Sequence, residues 1–231
     1  MSSSIVLGIS SDSPLSEKSK MTDPDFCIVT PRLCLSYYQP IDYHCDFLVA
    51  LYNSPEVLLG NGGVATALPD REAARRELES KMEWQARTGY GRYVISIPPE
   101  IDPNIAPDTR PFSQRLKDHQ LIGNVSMKIR HHPESPPVPD VGFALIRAHW
   151  GRGYATEATS ALIDYFEKER GQKEVLGYCN PNNEDSKKMF QRLGFENRGE
   201  HVVQGIRPGG GLNALVWAKK GMNTDMAVYG F

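Results

Sequence analysis

The sequence predicts one α/β domain built on a mixed, mostly antiparallel sheet. Three observations carry that prediction. The apolar run Val141-Gly142-Phe143-Ala144-Leu145-Ile146 reads as a buried strand, and the amphipathic stretch Tyr154 to Arg170 reads as a helix. Between them, Gly151 and Gly153 let the chain turn sharply from strand to helix. A second strand-like run, Glu174 to Cys179, follows that helix, so the chain holds one clear strand–helix–strand unit, late in its length.

Order is expected to begin near Phe26. Phe26 to Val29 and Leu33 to Tyr38 are strand-like and are interrupted by Pro31. Asp42 to Tyr52 sets Tyr43, Phe47, Leu48 and Leu51 at helical spacing, with Asp42 as the expected N-cap. Gly60-Asn61-Gly62-Gly63 marks a sharply turning loop. Pro69-Asp70 opens a helix running to about Thr88, with Leu78, Met82 and Gln85 on one face. Tyr93 to Ile97 reads as a strand and Leu121 to Ile129 as its returning partner. Between them, Pro98 to Gln120 is rich in proline and charge and reads as an irregular insertion. His131 to Pro139, with four prolines, is a second loop.

After the glycine joint and its helix, Gly171 is the natural C-cap. Asn183 starts a short helix with Glu184 and Asp185 in its first turn, where acids suit the dipole, and Gly194 ends it. Phe195 to Gln204 and Leu212 to Lys220 read as two last strands joined by Gly209-Gly210-Gly211. The domain so read covers residues 26–220, between a 1–25 tail expected to be disordered and a 221–231 C-terminal tail.

Bulk properties narrow the function. At 231 residues the chain suits one domain with a full core. A formal net charge of −2 predicts no strong pull on nucleic acid or membrane surfaces. No apolar run reaches the roughly 18 residues that span a bilayer. The stretch Met1 to Lys20 lacks a basic start and a sustained apolar core, so a cytoplasmic or nuclear protein is expected. Cys27, Cys34, Cys45 and Cys179 form no C-x-x-C pair and read as reduced core thiols; no metal site is expected.

The joint carries the chemistry. Its glycines can turn backbone N–H groups towards one point, and the dipole of the following helix adds positive charge there, which suits a diphosphate. A glycine pair before a helix also half-resembles a dinucleotide fingerprint, with Glu174 about 20 residues on; but Thr156 stands at the third glycine position.

The string Trp150-Gly151-Arg152-Gly153-Tyr154-Ala155-Thr156-Glu157-Ala158 resembles the acyl-CoA pyrophosphate loop of the GNAT N-acetyltransferase superfamily, in its RimJ/RimL-like branch. Three further segments agree in order: Thr30-Pro31-Arg32-Leu33-Cys34-Leu35, Leu121-Ile122-Gly123-Asn124, and Asn183-Glu184-Asp185-Ser186 followed by Leu193-Gly194-Phe195. Together they cover roughly residues 28 to 218.

The resemblance implies a GNAT fold with helices on both faces of the sheet, and acetyl transfer from acetyl-CoA to a primary amine. The amine would belong to a protein N-terminus or a small molecule. The cofactor would be wedged between Val141–Ile146 and Glu174–Cys179, two parallel strands that splay apart. Gly151, Arg152, Gly153, Tyr154, Ala155 and Thr156 would hold the diphosphate, the main chain near Leu145 would pair with the pantetheine arm, and Asn183 would face the cofactor. Many relatives place a tyrosine, acting as general acid, five residues before the last Phe of the L-G-F element. Phe190 stands there in this chain, leaving Ser186 as the candidate for stabilising the leaving thiolate.

Plainer readings stand beside these. Asp140 is either the base or relay that the resemblance implies, or a solvated residue after Pro139. Glu157 reads better as helix support than as a catalyst. Asn183 can be an N-cap and face CoA at once. Ser186 can bond the preceding turn, and Arg152, Lys187 and Lys188 can meet phosphates or water. His131, His132 and Glu134 read as solvated loop residues before a metal cluster. A non-catalytic acyl-CoA-binding or protein-interaction module with the same fold is the alternative function.

Overall fold

The computed structural model describes residues 21–60, 68–100, 106, 108–207 and 210–231. Its strands are β1 (Cys27–Val29), β2 (Cys34–Tyr37), β3 (Gly91–Ile97), β4 (Gln120–Lys128), β5 (Asp140–Leu145), β6 (Leu176–Cys179), β7 (Phe195–Arg207) and β8 (Gly210–Lys219). Its helices are α1 (Asp42–Tyr52), α2 (Pro55–Gly60), α3 (Arg71–Thr88), α4 (Phe112–Arg115), α5 (Tyr154–Arg170) and α6 (Glu184–Arg192). The strands form one sheet in the order β1-β2-β3-β4-β5-β6-β8-β7.

Every neighbouring pair is antiparallel except β5 and β6. Those two run parallel and meet at only two register pairs, Asp140↔Leu176 and Val141↔Gly177. Past Val141 they part, and among the described residues β5 from Gly142 to Leu145 has no strand partner on that side.

Alternation along the strands assigns the faces. Val125, Met127, Val141 and Leu145 pack with Ala158, Leu162 and Phe166 of α5 in the largest core cluster. On the other face, α1 and α3 cover Cys34, Val94 and Leu121 at one end of the sheet. At the other end Leu176, Val203 and Val216 pack with Met222 and Tyr229. Between those two covered ends lies a polar stretch of sheet carrying Ser126, Lys128 and Asp140.

Local chemistry sets the helix limits. Asp70 caps α3, its carboxylate accepting the Ala73 N–H at 2.8 Å. Gly171, with φ of 65°, ends α5 in the left-handed conformation expected of it. Asp42 is not a cap: Ile41 takes that position, and the Asp42 carboxylate lies in the first turn, bound to Arg71 at 3.0 Å and also to Arg75.

Four other expectations are corrected. The Pro98–Gln120 segment is not wholly irregular: α4 and the 3-10 turn Leu116–Asp118 bury Phe112 and Leu116 under the α1–α3 core. The 221–231 segment is docked, with a 3-10 turn over Met226–Tyr229 and Tyr229 donating to Glu174 at 2.6 Å. Order precedes Phe26, since Thr22 is buried and accepts from Gln39. The short helix α2 stands before the glycine loop; Gly60 ends it, while Asn61–Gly63 and Gly209 lie outside the described residues, as does the 1–20 part of the expected tail. Among the described residues no helix is long and apolar enough to cross a membrane.

Candidate active site

Gly151 and Gly153 hold φ of 72° and 78°, left-handed backbone that disfavours any side chain. Gly153 is the N-cap of α5 and provides no side-chain cap, unlike Asp70 on α3 and Asn183 on α6. The first bond of α5 runs from the Glu157 N–H to the Gly153 carbonyl at 3.0 Å. The N–H groups of Tyr154, Ala155 and Thr156 therefore have no acceptor within the helix, and the helix dipole adds to their positive charge. Such a cradle can hold an anion, and its chemistry fits a diphosphate.

The cradle is braced from the β1–β2 turn. Glu157 accepts from Thr30 Oγ1 at 2.6 Å, from the Arg32 N–H at 3.0 Å and from Arg32 Nε at 2.6 Å. Arg32 Nη1 also donates to the Arg152 carbonyl at 2.9 Å, and its guanidinium lies 4.7 Å from the Tyr154 ring centre. Burial pushes the Glu157 carboxyl up, but the bonds from Thr30 and Arg32 outweigh it and hold the group below its ordinary value. Glu157 is thus structural, and two sequence signals far apart in the chain are one contact. At the end of β5, Trp150 Nε1 donates to the Leu145 carbonyl at 2.8 Å, which leaves that oxygen a second lone pair. The free strand edge is Gly142 to Leu145.

A cavity of about 1000 Å³ opens from this cradle. Gly151, Gly153, Tyr154, Ala155 and Thr156 line its mouth at α5, Leu145 lines its wall, and Asn183 and Ser186 face it from α6. Arg152 is not on the wall; its carbonyl is held by Arg32. Asn183 Oδ1 accepts the Ser186 N–H at 3.0 Å, so Asn183 caps α6 and borders the cavity together.

Asp140 lies where the strands begin to part. It is buried, and both its oxygens are taken by Arg130, at 2.7 and 2.8 Å, while Arg130 Nη1 reaches the Gly205 carbonyl at 3.2 Å. It is not the solvated loop residue of the plainer reading. Phe190 is a core residue, stacked on Trp217 at 5.7 Å and seated against Gly177. His131 packs edge-on against Trp84, and among the described residues no group of His, Cys, Asp and Glu is arranged for a metal.

Sequence reasoning missed the other end of the cavity, walled by Tyr52, Glu56, Arg92, Lys128 and Arg130. A signal for part of it existed. Asn124, Ser126, Lys128 and Arg130 alternate with Val125, Met127 and Ile129, a period-2 polar face where a sheet interior was expected. Burial pushes the Lys128 ammonium down to about 8, helped by the nearby Arg92 charge. Glu56 has a loose contact with Arg147, 3.8 Å away.

The family model for the acetyltransferase (GNAT) domain matches residues 32–196. The chain belongs to the GNAT acetyltransferase family. The matched span begins at the bracing arginine and includes the α5 cradle and all of α6. Among curated proteins, the uncharacterized protein YkkB of Bacillus subtilis is 26% identical over 168 residues, covering 73% of this chain and 84% of its own. Among solved structures, the ribosomal-protein-S5-alanine acetyltransferase of Vibrio fischeri superposes with a TM-score of 0.62 at 16% identity, covering 84% of this chain and 96% of its own. RimL, a ribosomal L7/L12 alpha-N-protein acetyltransferase in complex with coenzyme A, superposes with a TM-score of 0.57 at 15% identity, covering 84% and 97%. The fold of this GNAT member is thus shared along nearly the whole length of those chains.

Proposed function

We propose that this GNAT protein transfers the acetyl group of acetyl-CoA to a primary amine by direct attack, with no covalent enzyme intermediate. One observation carries the reading: the uncapped N-terminus of α5 opens onto the gap where β5 and β6 part. The diphosphate sits on the N–H groups of the Gly151–Thr156 turn. The pantetheine arm follows the free edge of β5 from Leu145 towards Gly142. Asn183 and Ser186 flank it from α6, and the Ser186 hydroxyl stabilises the leaving thiolate. RimL, a fold neighbour, was solved with coenzyme A, which supports the same donor here.

The acceptor enters from the far end, over Ser126 and Gly142. Cations on that wall favour the neutral amine that attack requires. Of the carboxylates there, Asp140 is closed by Arg130, so its part is to position that arginine. Glu56, the loosely held one, takes the proton directly or through water. Holding amine and thioester together supplies much of the rate.

The test is a titration of the purified chain with acetyl-CoA, followed by mass spectrometry of amines incubated with both. Saturable binding and an N-acetylated amine matched by released CoA are expected. Binding without product from any amine would leave a coenzyme-binding module instead.

A further inference from the structure

We propose that the acceptor is a primary amine that also carries an anionic oxygen group, a carboxylate or a phosphate, bound by Lys128 and Arg92 where β5 and β6 part; this rests on the acetyl-transfer reading above. Register places the groups. Arg92 pairs with Ser126, Ser126 with Gly142, and Lys128 with Asp140. These residues share the sheet face opposite α5, between the two covered ends, and all line the cavity.

The charges on that wall do not cancel: Arg92, Lys128 and Arg130 stand against Asp140 and the loosely held Glu56. Asp140 is fully engaged by Arg130. Glu77 serves Arg92 at 2.8 Å but also Lys81 at 3.0 Å. The Arg92 Nε is buried and has no hydrogen-bond partner among the described residues, and the guanidinium lies 5.1 Å from the centre of the Tyr52 ring. Tyr52 itself accepts from Asn124 at 3.2 Å. Lys128 makes no ion pair among the described residues, and burial with the Arg92 charge holds its pKa down against the smaller opposing pull of Tyr52 and Asp140. A half-buried cation without a counter-ion is costly, and the group that removes the cost is an anion. The same surplus repels a second ammonium, so polyamines are poor acceptors. It also favours the neutral form of the one amine brought in beside the anion, whose proton passes to Glu56.

The experiment compares acceptors matched in their amine. The pairs are β-alanine and β-alaninamide, 2-aminoethyl phosphate and ethanolamine, and short peptides beginning with aspartate or asparagine. The readout is kcat/KM for the N-acetyl product. The anionic member of at least one pair is expected to be favoured by about tenfold or more, the scale of a charge-assisted hydrogen bond. The pair that responds separates carboxylate, phosphate and peptide sources. Lys128→Met should shrink the preference towards one, and Lys128→Arg should restore most of it, with melting curves checking the fold of both variants.

Transfer with no preference in any pair overturns this inference and keeps the acetyl-transfer reading. If no amine is acetylated, calorimetry of CoA-loaded protein with N-acetyl-β-alanine, N-acetyl-2-aminoethyl phosphate and their neutral counterparts decides. Tighter binding of the anions, lost in Lys128→Met, supports the anion site while the transfer reading falls. Equal binding overturns both.

Discussion

Arg32 holds Glu157 through its backbone N–H at 3.0 Å and its Nε at 2.6 Å, joining the β1–β2 turn to the first turn of α5. The same guanidinium donates to the Arg152 carbonyl, so one side chain fixes both the helix and the glycine turn before it. The brace touches the cradle from behind, and Arg32 is a positioning residue.

Arg32→Ala should therefore raise the dissociation constant for acetyl-CoA by about tenfold, as a preorganised anion cradle loosens. Calorimetric titration reads this directly. Glu157→Gln should weaken the brace less, since the amide oxygen still accepts one bond. Unchanged affinity in both variants would remove the brace from the account.

Gly153→Val should weaken acetyl-CoA binding by at least about tenfold. A Cβ at Gly153 would meet only Arg32 Nη2, at 3.4 Å, so space is not the obstacle. The left-handed backbone is, and imposing it on a branched residue costs about 1–2 kcal/mol. The turn should relax and misdirect its N–H groups while the fold survives, which melting curves and acetyl-CoA titration together would show.

Gly177→Ala should destabilise the fold by about 1–3 kcal/mol through overpacking. A Cβ there would lie 2.2 Å from Phe190 Cε1, inside the core. Adding Phe190→Leu should recover part of the loss. Thermal denaturation of the single and double variants checks it, and additive losses would contradict the contact.

Acid should destabilise the protein through His44. Its ring is fully buried, its Nδ1 accepts the Gln39 N–H at 2.9 Å, and its Nε2 has no partner. Burial pushes its pKa from 6.5 down to about 4. Between those values the unfolded chain binds a proton that the folded chain refuses, so stability falls as pH drops from 6.5 and levels off below about 4. The full effect is on the order of 3 kcal/mol. His44→Asn should flatten that part of the stability profile in urea titrations; an unchanged slope would assign acid sensitivity elsewhere.

The parts legible in the sequence were those with a local rule behind them. Asp70, Gly171 and Asn183 mark helix ends because caps act within one turn. The glycine joint was legible because only glycine tolerates its backbone. What was hidden depends on long-range contact. Nothing near Asp140 announces that Arg130 will close its carboxylate. Thr22, Phe112 and Tyr229 are buried by surfaces assembled from distant strands, so their segments read as tails or loops. The acceptor wall was half hidden for the same reason, since only the polar alternation from Asn124 to Arg130 could be read locally. Arg92 and Ser126 are neighbours only through strand pairing, and their charge balance appears only once the sheet is assembled.

The central claim is that the α5 cradle and the gap between β5 and β6 form one acetyl-transfer site. The most direct test is single-turnover transfer from isotope-labelled acetyl-CoA to an amine library, run on the native protein and on Gly153→Val at donor concentrations near the native dissociation constant. The account predicts labelled N-acetyl product with equal CoA release from the native protein, and at least about fivefold less from the variant. Equal product from both, or donor binding with no product from any amine, would contradict it.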